Sequence, residues 1–431
     1  MSIHLILSLL NFWLVLITAI PSAHPYKQVA YDAPLPPSKD PWYTAPPGFE
    51  DALPGTVLRV RHTPGNLTRV IGNSSAAYNI LYRTTNSYYS PTWAVTTLLV
   101  PQLGRNSNAR QNFNQSAVLS YQVPYNSADI DASPSYNLYT TDPTTPYNAA
   151  LGLGLFVLIP DFEGPLASFT AGIISGHATL DSVRAVLSLD LGLNTTAPRV
   201  ALWGYSGGAL ASEWASELAE QYAPELSGTI VGAALGGLTP NITRALAAVN
   251  GQSFAGLIPS SLLGLTSQYP RGREHLVSQL RTTGLYNQTG FLAALEFTVL
   301  EARMAYAGLD VFSYFKDGSA ILRDPRLMSI LNHEGIMGYH GVPIWPVFAY
   351  KAIGDEISAV ADTDALIERY CANGANILYQ RNTVGTHLQE STYSRRAAFD
   401  WLETILKGRH VEVNETNSCT IQNVTRDGTE S

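Results

Sequence analysis

Charged side chains are scarce in this sequence. Asp, Glu, Lys and Arg make up 14% of the 431 residues, against about 25% in ordinary soluble domains. The formal net charge is −8, so no basic surface is available for nucleic acid. Cysteine is nearly absent as well, with only Cys371 and Cys419. That excludes a disulfide scaffold, and neither residue has a motif that would make it a catalytic thiol. In an oxidising compartment an isolated pair of this kind is expected to be bridged. Long apolar runs are absent after the first segment, and no HExxH, spaced Cys/His cluster or GxGxxG signature occurs, so neither a metal nor a nucleotide cofactor is expected. No internal repeat is visible.

The N-terminal segment supplies what the rest lacks. Ile3 to Ile20 is an apolar stretch followed by the small residues Ser22 and Ala23, which reads as a signal peptide over 1–23. An uncleaved anchor is the alternative, because the run is about as long as a membrane span and no Lys or Arg precedes it. Sequons at Asn66, Asn73, Asn114, Asn194, Asn241, Asn287, Asn414 and Asn423 point the same way, to a secreted glycoprotein whose glycans help solubilise a surface poor in charge.

Residues 24–54 are rich in Pro, Tyr and Asp and form an arm. Turn-punctuated segments at Val57–Arg61, Ala77–Arg83 and Trp93–Val100 then read as strands, the second and third alternating as half-buried antiparallel strands do. From Leu155 the pattern changes to short apolar strands followed by helices, at Leu155–Ile159, Val200–Trp203 and Thr229–Leu235, as a buried parallel sheet requires. Residues 239–331 lose the strand pattern and read as a helical insertion, with a helix spanning Phe291 to Ala307. Strands resume at Ile344–Tyr350 and Ala375–Tyr379, and Ser394 to Leu406 is a last amphipathic helix. The fold class is therefore α/β, a doubly wound, mostly parallel sheet, with its core divided into 55–238 and 332–431 around the insertion.

The chemistry is carried by Gly204-Tyr205-Ser206-Gly207-Gly208. In Gly-x-Ser-x-Gly the small residues let a strand and a helix approach closely while the serine sits on a strained turn. Here an apolar strand precedes the motif and a helix follows it, which makes Ser206 the candidate nucleophile. Its base must be a histidine oriented by a carboxylate. Of the histidines that follow, His387 lies between a strand and the last helix, where a loop over the sheet's C-terminal edge would present it. Asp355, directly after Ile344–Tyr350, is the preferred acid, and Glu356 is its rival. The backbone N–H of Gly207 is one oxyanion donor, and Asn126, in the turn after the strand Val118–Val123, is the candidate for the second. His177 and Asp181, four residues apart, fit packing better than metal binding.

Several longer stretches resemble the fungal secretory lipase family of the α/β-hydrolase superfamily: Pro160-Asp161-Phe162-Glu163-Gly164-Pro165, Phe169-Thr170-Ala171-Gly172, Ser175-Gly176-His177-Ala178, the Ser206 segment, Gly232 to Gly237, Gly354-Asp355-Glu356 and Gly385-Thr386-His387. The resemblance implies a triad of Ser206, Asp355 and His387, and a helical cap over 239–331 that covers an acyl tunnel. It implies a retained Cys371–Cys419 bridge and the loss of a second family bridge, whose Cys is replaced by Ala132 or Ser133. Its second oxyanion position is commonly Asp, so Asn126 removes a titratable group. The expected activity is hydrolysis of carboxylic esters, with triacylglycerol at an oil–water interface as the leading substrate. A trichothecene-type metabolite ester is the alternative, and a non-catalytic binding module or a peptidase would be a different class. No nucleic acid, nucleotide or cofactor is expected, and the chain is expected to be a monomer.

Overall fold

The computed structural model describes residues 33–102, 115–140, 145–408 and 419–429. The segment read as a signal peptide, the first part of the expected arm and the sequons at Asn114 and Asn414 lie outside the described residues.

Ten strands form one sheet in the order β1-β2-β3-β5-β4-β6-β7-β8-β9-β10. The first three are β1 (Val57–His62), β2 (Ser74–Thr85) and β3 (Pro91–Pro101). They pair antiparallel, and β3 pairs antiparallel with β5 (Phe156–Pro160). From there every pairing is parallel, through β4 (Ala117–Gln122), β6 (Arg199–Tyr205), β7 (Ile230–Gly236), β8 (Val347–Ala352), β9 (Ile377–Asn382) and β10 (Thr420–Val424). The central strands are buried on both faces, which is why they read as continuous apolar runs rather than as alternation. One face is covered by the helices Gly172–Leu187 and Gly207–Tyr222, packed around fully buried Trp214. The other carries the helix Arg395–Leu406, whose Ala398, Trp401, Leu402 and Ile405 are buried at the expected spacing.

Between β7 and β8 no strand joins the sheet. The helices Ile242–Val249, Leu257–Ser267, Pro270–Ser278, Gln288–Leu292, Val299–Tyr306 and Pro325–Glu334 occupy this segment. The single helix expected over Phe291 to Ala307 is broken. A 3-10 turn at Ala293–Glu296 ends the first piece. Thr298 then starts a new helix through a capping box with Glu301, a side-chain arrangement that satisfies the orphan N–H groups of a fresh helix start.

Two further differences from expectation concern ends. β8 begins at Val347 rather than Ile344, because Pro346 cannot donate to a ladder. The edge strand β10 has no counterpart in the sequence reading. It lies parallel to β9 directly after Cys419, which is bridged to Cys371 with the Cα atoms 5.7 Å apart. The described part of the arm packs on the antiparallel edge, where Tyr43 O accepts from Trp93 Nε1 at 2.8 Å and Asp40 pairs with Arg61 at 2.7 Å. Among the sequons, Asn66, Asn73 and Asn423 are exposed. Asn241 and Asn287 are half-buried N-caps whose side chains accept from Arg244 N and Gly290 N, and Asn194 is half-buried.

Candidate active site

The site forms beyond the C-terminal ends of β6, β8 and β9, where a parallel sheet leaves a crevice. Ser206 stands between β6 and the helix Gly207–Tyr222 at φ 55°, ψ −121°. That is a conformation an L-residue adopts only when its surroundings hold it there. Two glycines make the turn possible. A Cβ on Gly204 would lie 2.1 Å from the backbone of Gly208, and one on Gly208 would lie 1.9 Å from the carbonyl oxygen of Gln122. The Ser206 N–H donates to Gly236 O at 2.9 Å and locks the turn to β7.

The three residues expected to act together are joined by hydrogen bonds. Ser206 Oγ lies 2.9 Å from His387 Nε2, and His387 Nδ1 lies 2.7 Å from Asp355 Oδ2. His387 is not in a loop, as the sequence suggested, but is the first residue of a short helix, His387–Tyr393, whose start is fixed by a capping box between Thr386 and Gln389. The Tyr205 hydroxyl donates to the His387 carbonyl, and the His387 N–H donates to Glu356 Oε2 at 2.8 Å. The rival carboxylates Asp355 and Glu356 thus hold different parts of one histidine, ring and backbone.

Asp355 is almost fully buried. Its Oδ1 accepts the N–H groups of Ile357 and Ser358, both at 2.9 Å, and its Oδ2 also accepts from Lys351 Nζ at 2.8 Å. Burial alone would raise the carboxyl's pKa. The hydrogen bond and charge of His387, with the charge of Lys351, outweigh burial and hold it well below the ordinary carboxylate range.

Asn126 has φ 48° and its Oδ1 is buried without a hydrogen-bond partner. A Cβ on Gly207 would lie 1.9 Å from that Oδ1, so the side chain of Asn126 is the group that approaches the nucleophile turn. Its backbone N–H has a different neighbour. It acts with that of Ser127 on the buried carboxyl of Glu163, although neither closes a hydrogen bond to it. Burial and the neighbouring Asp161 push the Glu163 carboxyl well above its usual value, and these two N–H groups oppose the shift. Asp161 is itself pushed up to about 7 by burial, against two hydrogen bonds from Ser135. The other pair weighed in the sequence is packing. His177 stacks on Tyr222 with ring centroids 3.8 Å apart, and Asp181 accepts from Thr84, Tyr222 and Arg184.

Two cavities meet at Ser206. The larger, about 340 Å³, is lined by His387, Trp203, Tyr205, Phe254, Leu300, Arg303 and Arg395 among others. The smaller, about 30 Å³, touches Gly207 and Asn126 and is lined by Phe169, Leu210, Ile242, Leu246 and Val249. Sequence reasoning missed Lys351, Arg303 and Arg395. A lone cation in the apolar run Val-Phe-Ala-Tyr-Lys-Ala was the available signal for the first, whereas nothing local marks the two arginines.

A mostly parallel sheet with a strained serine at a strand-to-helix turn, in hydrogen-bond contact with a histidine and a buried aspartate, defines an α/β-hydrolase. The sequence matches the model of the family described as "Secretory lipase" over residues 137–413. It is 61% identical over 424 residues to the trichothecene C-3 esterase of Fusarium sporotrichioides, covering 97% of this chain and 93% of that one. With lipase A of Arthroderma benhamiae it shares 40% identity, over 89% of this chain and 82% of the relative. Candida antarctica lipase A in its closed state superposes with a TM-score of 0.79 at 27% identity, covering 92% of this chain and 94% of that structure. The chain belongs to the secretory lipase family and is a carboxylic-ester hydrolase.

Proposed function

We propose that this hydrolase removes a short acyl group, such as acetyl, from a bulky alcohol that carries oxygen acceptors, of the trichothecene type. Ser206 Oγ attacks the ester carbonyl while His387 Nε2 takes its proton, and His387 returns that proton to the departing alcohol. Water then repeats the cycle on the acyl-enzyme. Asp355 orients the ring and stabilises the imidazolium. The oxyanion is received by the Gly207 N–H and the side-chain amide of Asn126, since half a turn about the amide brings Nδ2 to where Oδ1 now lies. Replacing Asn126 by Ala should lower kcat by about 10²–10³-fold with little change in KM, measured on an acetyl ester. An unchanged kcat would move the second donor elsewhere.

The observation that carries the substrate class is the unequal space on the two sides of Ser206. The departing alcohol must lie against the histidine that protonates it, so it belongs in the larger cavity, which contains His387. The acyl tail is left with the smaller one, about 30 Å³, which does not touch His387. That narrower, apolar-walled space favours a short acyl tail over a long one. The alcohol side has an apolar wall with two guanidiniums, Arg395 and Arg303, the latter over the Phe254 ring at 4.5 Å. Those donors suit acceptor oxygens on an apolar ring frame. The relative named trichothecene C-3 esterase supports the same reading.

Triacylglycerol is the second reading. It is favoured by the lipase relatives and by exposed Leu300 and Met304 on the helix at the mouth of the larger cavity, an apolar rim suited to an oil surface. It requires the helical cap, residues 239–331, to move away from the acyl side. Rates on acetyl, butyryl and decanoyl esters of one alcohol separate the two. The acetyl ester is expected to lead the decanoyl ester by at least about 100-fold, because a pocket discriminates by roughly 10–200-fold per methylene-sized change. Equal or faster decanoyl turnover would replace the first reading with the second. Secretion belongs to the same proposal, supported by the family's description, the apolar N-terminal segment and the sequons.

A further inference from the structure

Lys351 is fully buried, on a strand where every other side chain is apolar or a tyrosine. A charge is buried only at a cost that must be offset by partners, and here those partners are two. Nζ donates to the carbonyl oxygen of Leu238, just beyond β7, and to Asp355 Oδ2, both at 2.8 Å. The second contact is to the same oxygen that accepts the His387 ring at 2.7 Å. Asp355 spends its other oxygen on two backbone N–H groups, so lysine and histidine have no separate acceptor to divide between them.

This sharing has an electrostatic consequence. An aspartate beside a histidine favours the imidazolium, and a cation beside that aspartate opposes it. Sharing one oxygen puts the lysine ammonium and the imidazole within the roughly 4–6 Å over which one charge moves a neighbour's titration by about 1–3 units. We propose that Lys351 is a positioning residue of the ester-hydrolysing site, which fixes Asp355 Oδ2 on the His387 ring and extends activity to lower pH by opposing premature protonation of that ring. The proposal rests on the reading of Ser206, His387 and Asp355 as the catalytic chain.

Arg303 and Arg395 line the cavity that His387 also lines, but among the described residues the one Lys or Arg side chain bonded to Asp355 is Lys351. The remaining charged groups that act on Lys351 are Asp362 and Glu356. Asp362 pairs with Arg244 at 2.5 Å, and Glu356 accepts the His387 N–H. The nearby titratable groups that sense Asp355 from other elements are Tyr205, Tyr379 and Glu390. Burial pushes all three upward, the tyrosines far enough to remain protonated through the working range and Glu390 against a hydrogen bond from Asn382. Burial likewise lowers the Lys351 ammonium, and Asp355 opposes that shift.

The test is the pH dependence of kcat/KM on p-nitrophenyl acetate, and of the rate of modification by a fluorophosphonate, for the parent, Lys351→Met, Lys351→Gln and Lys351→Arg. The two neutral variants should move the acid limb of both profiles upward by at least about one pH unit, while Lys351→Arg leaves it in place. Gln retains a donor toward Asp355 and Arg retains the charge, so loss of fold in the Met variant leaves the comparison intact. A merely structural lysine would lower the plateau and leave the limb where it was. An acid limb unmoved in the neutral variants, or moved equally in Lys351→Arg, overturns the proposal. If the parent's Ser206 does not react with the fluorophosphonate, the catalytic chain itself is wrong and this inference falls with it. If Ser206 reacts and the limb stays fixed, only the role of Lys351 is lost.

Discussion

Replacing Ser206 by Ala is expected to reduce kcat on an acetyl ester by roughly 10⁵–10⁶-fold, equivalent to about 7–8 kcal/mol of barrier. In the proposed mechanism this residue makes the covalent bond to the acyl group, so nothing nearby can substitute for Oγ. His387 Nε2 is then left facing a methyl group, and the route falls back to water activated without a covalent intermediate. The residual rate should still exceed that of free solution by about 10³–10⁴-fold, because the oxyanion donors and the binding cavities remain. Folding should be little affected. Alanine tolerates the φ of 55° no worse than serine does, and the turn is held by the Gly236 bond and by the close approach at Gly204 and Gly208. Single-turnover kinetics with thermal melting measures both quantities. A loss below about 100-fold would mean that another group is the nucleophile.

Asp355→Asn is expected to cost about 10⁴-fold in kcat. The physical reason here is stronger than loss of a charge. All four contacts to the carboxyl are donors, from His387, Lys351, Ile357 and Ser358. An amide must therefore turn its own N–H₂ toward at least one of them, and the His387 ring is displaced or takes the wrong tautomer. Lys351 is left buried without its counter-charge, so stability should fall as well, as it does when one partner of a buried pair is removed. Glu356→Gln is the control. It retains an acceptor for the His387 N–H and should cost less than about tenfold in kcat. Equal losses at the two positions would return the orienting role to Glu356.

Much of this site was legible in the sequence because its constraints are local. Gly204 is demanded by a clash with Gly208 four residues on, although Gly208 itself is demanded by the distant Gln122 carbonyl, and the apolar strand before the turn is a burial pattern. The order serine, acid, histidine placed Asp355 and His387 after the strands that carry them. What could not be read depends on contacts between distant segments. Adjacent Asp355 and Glu356 are separated only by which part of His387 each meets. That the side chain of Asn126 approaches the nucleophile turn depends on its meeting Gly207, far along the chain. β10 carries exposed side chains at most positions and owes its place to ladder bonds with β9 and to the bridge at Cys419, neither of which leaves a hydrophobic period. Arg303 and Arg395 line one cavity from the helical segment before β8 and from the start of the last helix.

The account turns on Ser206 being the group that attacks the ester. The most direct measurement is the intact mass of the protein after treatment with a fluorophosphonate, with peptide mapping of the adduct and the same treatment of Ser206→Ala. One phosphonyl group on Ser206, formed in step with loss of esterase activity and absent from the variant, is the expected result. An adduct on another residue, or full inactivation with Ser206 unmodified, would contradict it.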